Sequence, residues 1–174
     1  NGAREVRLAQ SDKERAALWK CRKRAFGAIG RLSPNFLTQD GVVPRSKLPE
    51  IMEFIASTSR RYELRIPNVF HAGDGNIHPL VLYDERDPDQ VTRAVAAGHD
   101  ILDKCIALGG SVSGEHGIGV EKVDLMAKQF TADDLNAMKR LRLVFDPDHR
   151  CNPHKMFPSA KRCSDFVMKK QISA

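Results

Sequence analysis

The sequence predicts an α+β fold, a small antiparallel sheet with helices packed on it. Three observations carry that expectation. Beyond Pro88, Val91, Ala94, Val95, Gly98, Ile101, Leu102 and Cys105 recur at the 3.6-residue period of an amphipathic helix. The β-type runs Leu64–Phe70 and Pro79–Tyr83 lie on either side of a glycine-rich stretch, as in a hairpin. No Gly-x-Gly-x-x-Gly turn joins a strand to a helix, so no doubly wound dinucleotide domain is visible.

Taken in order, Ser11-Asp12-Lys13-Glu14 has the Ser-x-x-Glu form of a capping box. A first helix should follow, with Arg15, Leu18, Trp19, Arg22 and Phe26 at helical spacing, ended by Gly27 and Gly30, with Pro34 in the next loop. Asp40 to Pro44 reads as a short strand. A second helix is expected from about Ser46 to Tyr62, with Leu48, Ile51, Met52, Ile55 and Tyr62 along one side. The third, from about Pro88 to Leu108, stops at Gly109-Gly110. A short helix near Lys122 to Gln129 precedes a longer one after Thr131, where Asp133 and Asp134 suit the positive end of the helix dipole.

The 174 residues, 41% hydrophobic and 29% charged, are enough for one domain with its own core. No apolar run has the length of a membrane span, and the first residues do not resemble a signal peptide. Cys21, Cys105, Cys151 and Cys163 are far apart without a CxxC pair, which points to reduced thiols in a cytoplasmic protein. The net charge of +6 gathers between Arg15 and Arg31 and from Lys155 to Lys170. Aromatics are only 6% of the residues and no finger, RNP or basic-zipper pattern occurs, which argues against nucleic acid. Solvated basic faces, or attraction of small anionic substrates, remain.

The chemistry concentrates in His71-Ala72-Gly73-Asp74-Gly75-Asn76-Ile77-His78-Pro79 and Gly114-Glu115-His116-Gly117-Ile118-Gly119, which hold three of the chain's six histidines. If Phe70 ends one strand and Pro79 begins its partner, His71 and His78 bracket a six-residue reversal, opposite each other on one face. Two imidazoles need a further ligand to hold a divalent ion, and Glu115 is the best candidate. A His2Glu set also leaves positions open for substrate. His116, its neighbour in an extended segment, should point elsewhere and is better suited to be a base, since imidazole titrates near neutral pH. Asp74 and Asn76 read as turn-makers. His99, His149 and His154 read as surface residues. Arg22 falls beside Leu18, Trp19 and Phe26. Its stem could cover the core with the head in water, or its guanidinium could grip a substrate carboxylate.

These motifs, with Gly109-Gly110-Ser111, Asp146-Pro147, Asn152-Pro153-x-Lys155, Trp19-Lys20-x-Arg22 and Asp40-Gly41-Val42-Val43-Pro44-Arg45, resemble the C-terminal region of FAD-linked 2-hydroxyacid oxidases and dehydrogenases. The likeness is greatest to the glycolate oxidase and D-lactate dehydrogenase group and spans roughly Arg4 to Pro158. The resemblance implies an N-terminal flavin-binding domain, absent here, and an α+β, ferredoxin-like cap. Residues 1–174 would then be a single partial domain, the later part of that cap. Arg4–Leu8 would be the tail of a strand whose sheet partners lie in the missing portion, so the chain is expected to be a fragment.

By position, the resemblance implies His71, His78 and Glu115 as metal ligands, His116 as catalytic base, Arg22 on the substrate carboxylate and Asn152 near the flavin. It also implies FAD held mainly by the missing domain, a divalent metal (zinc by ligand type, or manganese or iron) and partner subunits of an oxidase complex. The expected location is the cytoplasm, including the inner face of the membrane. Two residues depart from the pattern. Leu80 stands where 2-hydroxyglutarate-type relatives have a substrate-binding asparagine, and His154 replaces the glycine of the Asn-Pro-Gly-Lys turn. The expected activity is oxidation of a D-2-hydroxy acid to the 2-oxo acid with hydride transfer to FAD. The isolated chain is expected to be inactive. A metal-dependent hydrolase using the same His2Glu set and a non-catalytic subunit-interaction module are the rival classes.

Overall fold

A computed structural model of the chain describes residues 5–158, so Arg4, Cys163 and the basic residues after Pro158 lie outside the described residues. Their element order is α1 (Asp12–Lys23), α2 (Ala25–Ile29), β1 (Asn35–Thr38), β2 (Gly41–Val42), a 3-10 turn at Arg45–Lys47, α3 (Leu48–Arg61), β3 (Asn68–His71), β4 (Asn76–Tyr83), α4 (Pro88–Ala107), α5 (Val123–Gln129) and α6 (Ala132–Phe145). The fold is α+β with an antiparallel sheet, as the sequence predicts. No helix among the described residues is long and apolar enough to cross a membrane.

β4 is the centre of the sheet. Its one edge pairs with β3, bringing Val69 opposite His78 and His71 opposite Asn76. Its other edge pairs with β1 and β2 in a single register, Thr38 facing Leu80 and Gly41 facing Ile77. Asp40, in between, therefore falls opposite His78. Because side chains alternate along a strand, Asp40, Val69, His71, Asn76 and His78 share one face.

The opposite face carries the main core. Ile77 and Val81 of β4 pack with Ile51 and Ile55 of α3 and with Ala94, Ala97, Ile101 and Cys105 of α4. Each isoleucine buried this fully contributes about 1.5–3 kcal/mol. On the site face, Leu80 and Leu82 pack under Ile29 of α2 beside Val69. A third cluster of Leu102, Val112 and Leu125 fastens the chain on both sides of residues 113–122 to α4.

Several expectations are corrected. Ser11 caps α1 as expected, accepting from the Glu14 N–H, but the helix breaks at Arg24, and Gly27 lies inside α2. No residue of α1 is buried, and Trp19 is 55% exposed, so Arg22 does not lie on a core-facing stripe. Glu5–Leu8 pair with no described strand. β1 carries no clear alternation and was not expected; its partner β4 makes it a strand. The hairpin is tighter than expected, with four residues between its strands.

Candidate metal and acid–base site

The tighter hairpin changes how the histidines meet. They are not directly opposed. His71 pairs with Asn76, and His78 lies two residues farther along the same face. That diagonal brings the rings edge to face with centroids 5.6 Å apart. Glu115 arrives from the loop after Val112 and places Oε1 2.9 Å from His78 Nε2 and 3.7 Å from His71 Nε2. The ligand atoms of His71, His78 and Glu115 all lie within 4.8 Å of one another. Tetrahedral ligands on bonds of about 2.0–2.1 Å would be about 3.3 Å apart, so the three fit a small divalent ion.

His78 is buried, and both of its ring nitrogens face acceptors. Nδ1 is 3.4 Å from the Gln39 carbonyl and 3.9 Å from Asp40 Oδ1, while Nε2 meets Glu115. A proton on each nitrogen, or one on Nδ1 and a cation between Nε2 and Glu115, satisfies that arrangement.

His116 is closer to the cluster than the sequence reading placed it. Its Nε2 is 3.7 Å from Glu115 Oε1, and its ring stacks on His78. The segment is not extended, so neighbouring side chains need not diverge. It is wrapped around Asp40.

Asp40 is the residue whose role sequence reasoning missed, having read it as the head of a short strand and as part of a family motif, with no place in the site. Its carboxylate is fully buried and accepts from Asn76 Nδ2 (2.7 Å), Ser113 Oγ (2.8 Å) and the N–H groups of Gly114 (3.0 Å), Glu115 (3.1 Å) and His116 (2.9 Å). Lys122, also buried, lies 3.5 Å from Oδ2 and donates to the Asp40 carbonyl at 3.1 Å. Burial pushes the Asp40 carboxyl up, but the bonds from Asn76, His116, Ser113 and Glu115 outweigh it and hold the group well below the usual carboxylate range. Burial pushes the Lys122 ammonium down, opposed by Asp40. No local signal marked it, because its burial and its donors are both set by packing of distant segments.

Asn76 is likewise not a turn-maker. It is a buried β4 residue whose amide serves Asp40, and its Oδ1 is buried without a hydrogen-bond partner. The loop can press this close only because residue 114 is glycine. A Cβ there would lie 2.0 Å from Asn76 Nδ2. Asp40, His78 and His116 form a second grouping that shares His78. Its carboxylate is already saturated with donors, which favours the grouping with Glu115 as the ligand set.

Arg22 and Asn152 make no hydrogen bond, ion pair or ring contact with the three histidines. Arg22 is half-buried on α1. Asn152 is exposed, at φ 46°, with its Oδ1 accepting from Lys155 and its carbonyl from Arg142. Its segment is tied to the site loop where the Met156 N–H meets the Gly119 carbonyl at 2.9 Å. His154 has φ 63°, the left-handed region in which a glycine would be unstrained. Leu80 is fully buried in the Ile29 cluster.

Comparison with known proteins identifies the family of the chain. The family model described as FAD linked oxidases, C-terminal domain, matches residues 1–156. The chain is 48% identical over 165 residues, 95% of its length, to glycolate oxidase subunit GlcD of Escherichia coli K12. It is 37% identical over 157 residues (90% of the chain) to the Bacillus subtilis glycolate oxidase subunit GlcD. With the mitochondrial D-lactate dehydrogenase [cytochrome] of Arabidopsis thaliana the identity is 29% over 160 residues, 91% of the chain. It spans only 33%, 33% and 28% of these relatives, about a third of their length.

Proposed function

This chain belongs to the FAD linked oxidase C-terminal domain family, and from that premise we propose that it is the substrate-side part of a flavin-dependent oxidoreductase. The reaction is oxidation of a D-2-hydroxy acid of the glycolate or D-lactate type to the 2-oxo acid. The observation that carries this reading is the convergence of His71, His78 and Glu115 on one point, with His116 stacked beside them.

The residues present suit the groups this chemistry needs. The ligand spacing accepts zinc, and the same donor types serve manganese or iron. Glu115 and His116 are about half exposed, so the cluster forms one wall of a site and leaves its outer side free for substrate and a planar ring. When bound, a divalent cation supplies Lewis acidity toward the substrate hydroxyl, and flavin supplies the two-electron acceptor.

Within this chain, His71, His78 and Glu115 would hold the cation. His116 accepts the hydroxyl proton at Nε2. The Gln39 carbonyl would hold a proton on His78 Nδ1 and leave Nε2 free to ligate. Arg22 is assigned to the substrate carboxylate and Asn152 to the flavin side. Both assignments rest on position in the family's motifs. The hydrolase reading would use the same three ligands, and family membership favours the oxidoreductase.

Elemental analysis of the purified protein tests the central claim. One equivalent of a divalent transition metal is expected, lost in His71→Ala and His78→Ala. Metal at background in a folded wild-type protein would remove the proposed centre and favour a non-catalytic module.

A further inference from the structure

The buried carboxylate of Asp40 has no part in the proposed ligand set, yet its donors converge from the segments that carry the ligands and the base. Asn76 reaches it from β4, two residues from His78. The three consecutive N–H groups of Gly114, Glu115 and His116 turn onto it. Ser113 Oγ donates to Asp40 Oδ2 at 2.8 Å and accepts the Gly117 N–H at 2.8 Å, closing the loop around the anion. Three backbone donors focused on one oxygen pair form an anion-binding nest, here filled by the protein's own side chain. The nearby Lys122 ammonium offsets a charge that would be costly to bury alone.

From this geometry we infer that Asp40 is a positioning residue of the site. Through the Glu115 and His116 N–H groups it brings the carboxylate ligand to the two imidazoles and lays the base beside His78. This inference rests on the functional reading above and deepens it. Asparagine cannot replace Asp40 in this role, because its amide group would present hydrogens to a loop that presents hydrogens itself. Removing supports outside a metal's direct ligands costs about tenfold to a hundredfold in affinity.

Zinc affinity, measured by competition with a chromogenic chelator, and amide hydrogen exchange at Glu115 and His116 test the inference together. In wild type both amides are expected to exchange slowly. Asp40→Asn is expected to weaken zinc by about tenfold to a hundredfold and to speed exchange at both amides. Ser113→Ala should act in the same direction more weakly. Ile55→Val, in the core across the sheet, should leave zinc affinity unchanged.

Wild-type zinc affinity in a folded Asp40→Asn protein overturns the inference. If that variant does not fold, unchanged affinity and exchange in Ser113→Ala overturn it instead. Should wild type take up no zinc, the metal reading fails by itself, and exchange still decides the role of Asp40. Wild-type protection that opens in Asp40→Asn then supports the anchor, and fast exchange in wild type overturns it.

Discussion

The imidazoles of His78 and His116 lie nearly parallel, with ring centroids 4.9 Å apart and planes inclined by 11°. One ring faces Glu115 through a nitrogen at 2.9 Å, and the other lies over it by its face. Removing His116 therefore takes away a neighbour of the ligand set and none of the three proposed ligands. If the proposed function holds, His116→Gln in the flavin-loaded protein is expected to lower kcat by about 10²–10⁴-fold, with metal and flavin content unchanged. Steady-state kinetics with elemental analysis check this, and near-normal turnover would remove His116 as the base.

Asp40 makes stability sensitive to acid. Its carboxyl is held low in the folded protein by its donors, against burial. The unfolded chain therefore binds the proton first, near the usual value of about 3.9. The stabilisation is present above about pH 4 and is lost as pH falls below it. Thermal melts from neutral to acidic buffer should show Tm dropping in that window, less steeply in Asp40→Asn. Equal slopes in the two proteins would assign the acid sensitivity to other carboxylates.

Cys105 should be inert while its relatives react. Burial pushes its thiol up to about 12, only partly opposed by Lys122, whereas Cys21 and Cys151 are exposed. Iodoacetamide at mildly alkaline pH is expected to label Cys21 and Cys151 and to spare Cys105 until denaturant is added, as mass spectrometry can read. The sign is opposite to that of Asp40. An unfolded thiol ionises near pH 8.5, so this contribution is fully present below about pH 8.5 and is lost progressively as pH rises from there toward about 12. Labelling of native Cys105 at the rate of Cys21 would contradict the packing of α4 on the sheet.

Gly110 is where the chain leading to the site loop crosses β2. Val42 and Ser111 exchange hydrogen bonds of 2.8 and 3.0 Å there, and a Cβ on Gly110 would lie 1.8 Å from the Val42 carbonyl oxygen. Backbone cannot yield as a side chain can, so Gly110→Ala is expected to cost about 2–4 kcal/mol. Gly73→Ala has nothing within 4 Å of its Cβ and should change stability by about 0.5 kcal/mol or less. Urea unfolding of the two variants makes the comparison, and equal midpoints would refute the close approach.

The amphipathic period of α4 was readable because it repeats over 20 residues, and the cap of α1 because Ser11 and Glu14 are local partners. β1 was not, since four residues without alternation become a strand only through β4. The break at Arg24 defeated a reading that relied on glycine as a helix terminator. His71 and His78 survived an error in the hairpin turn for a physical reason. They lie on the same face as long as His71 pairs with Asn76 and strand side chains alternate, even though His71 is not the residue opposite His78.

The sequence alone determined the kinds of elements and the chemical identity of the candidate ligands, because periodicity, caps and ligand chemistry are written in neighbouring residues. Only the tertiary structure decided that Glu115 and His116 both reach the histidines, because the residue holding them is Asp40. Its hydrogen bonds to Asn76 and His116 span 36 and 76 positions of chain. A carboxylate with no local partner carries no local pattern. Its role becomes defined only when packing removes it from water and requires that distant N–H groups replace the lost solvent.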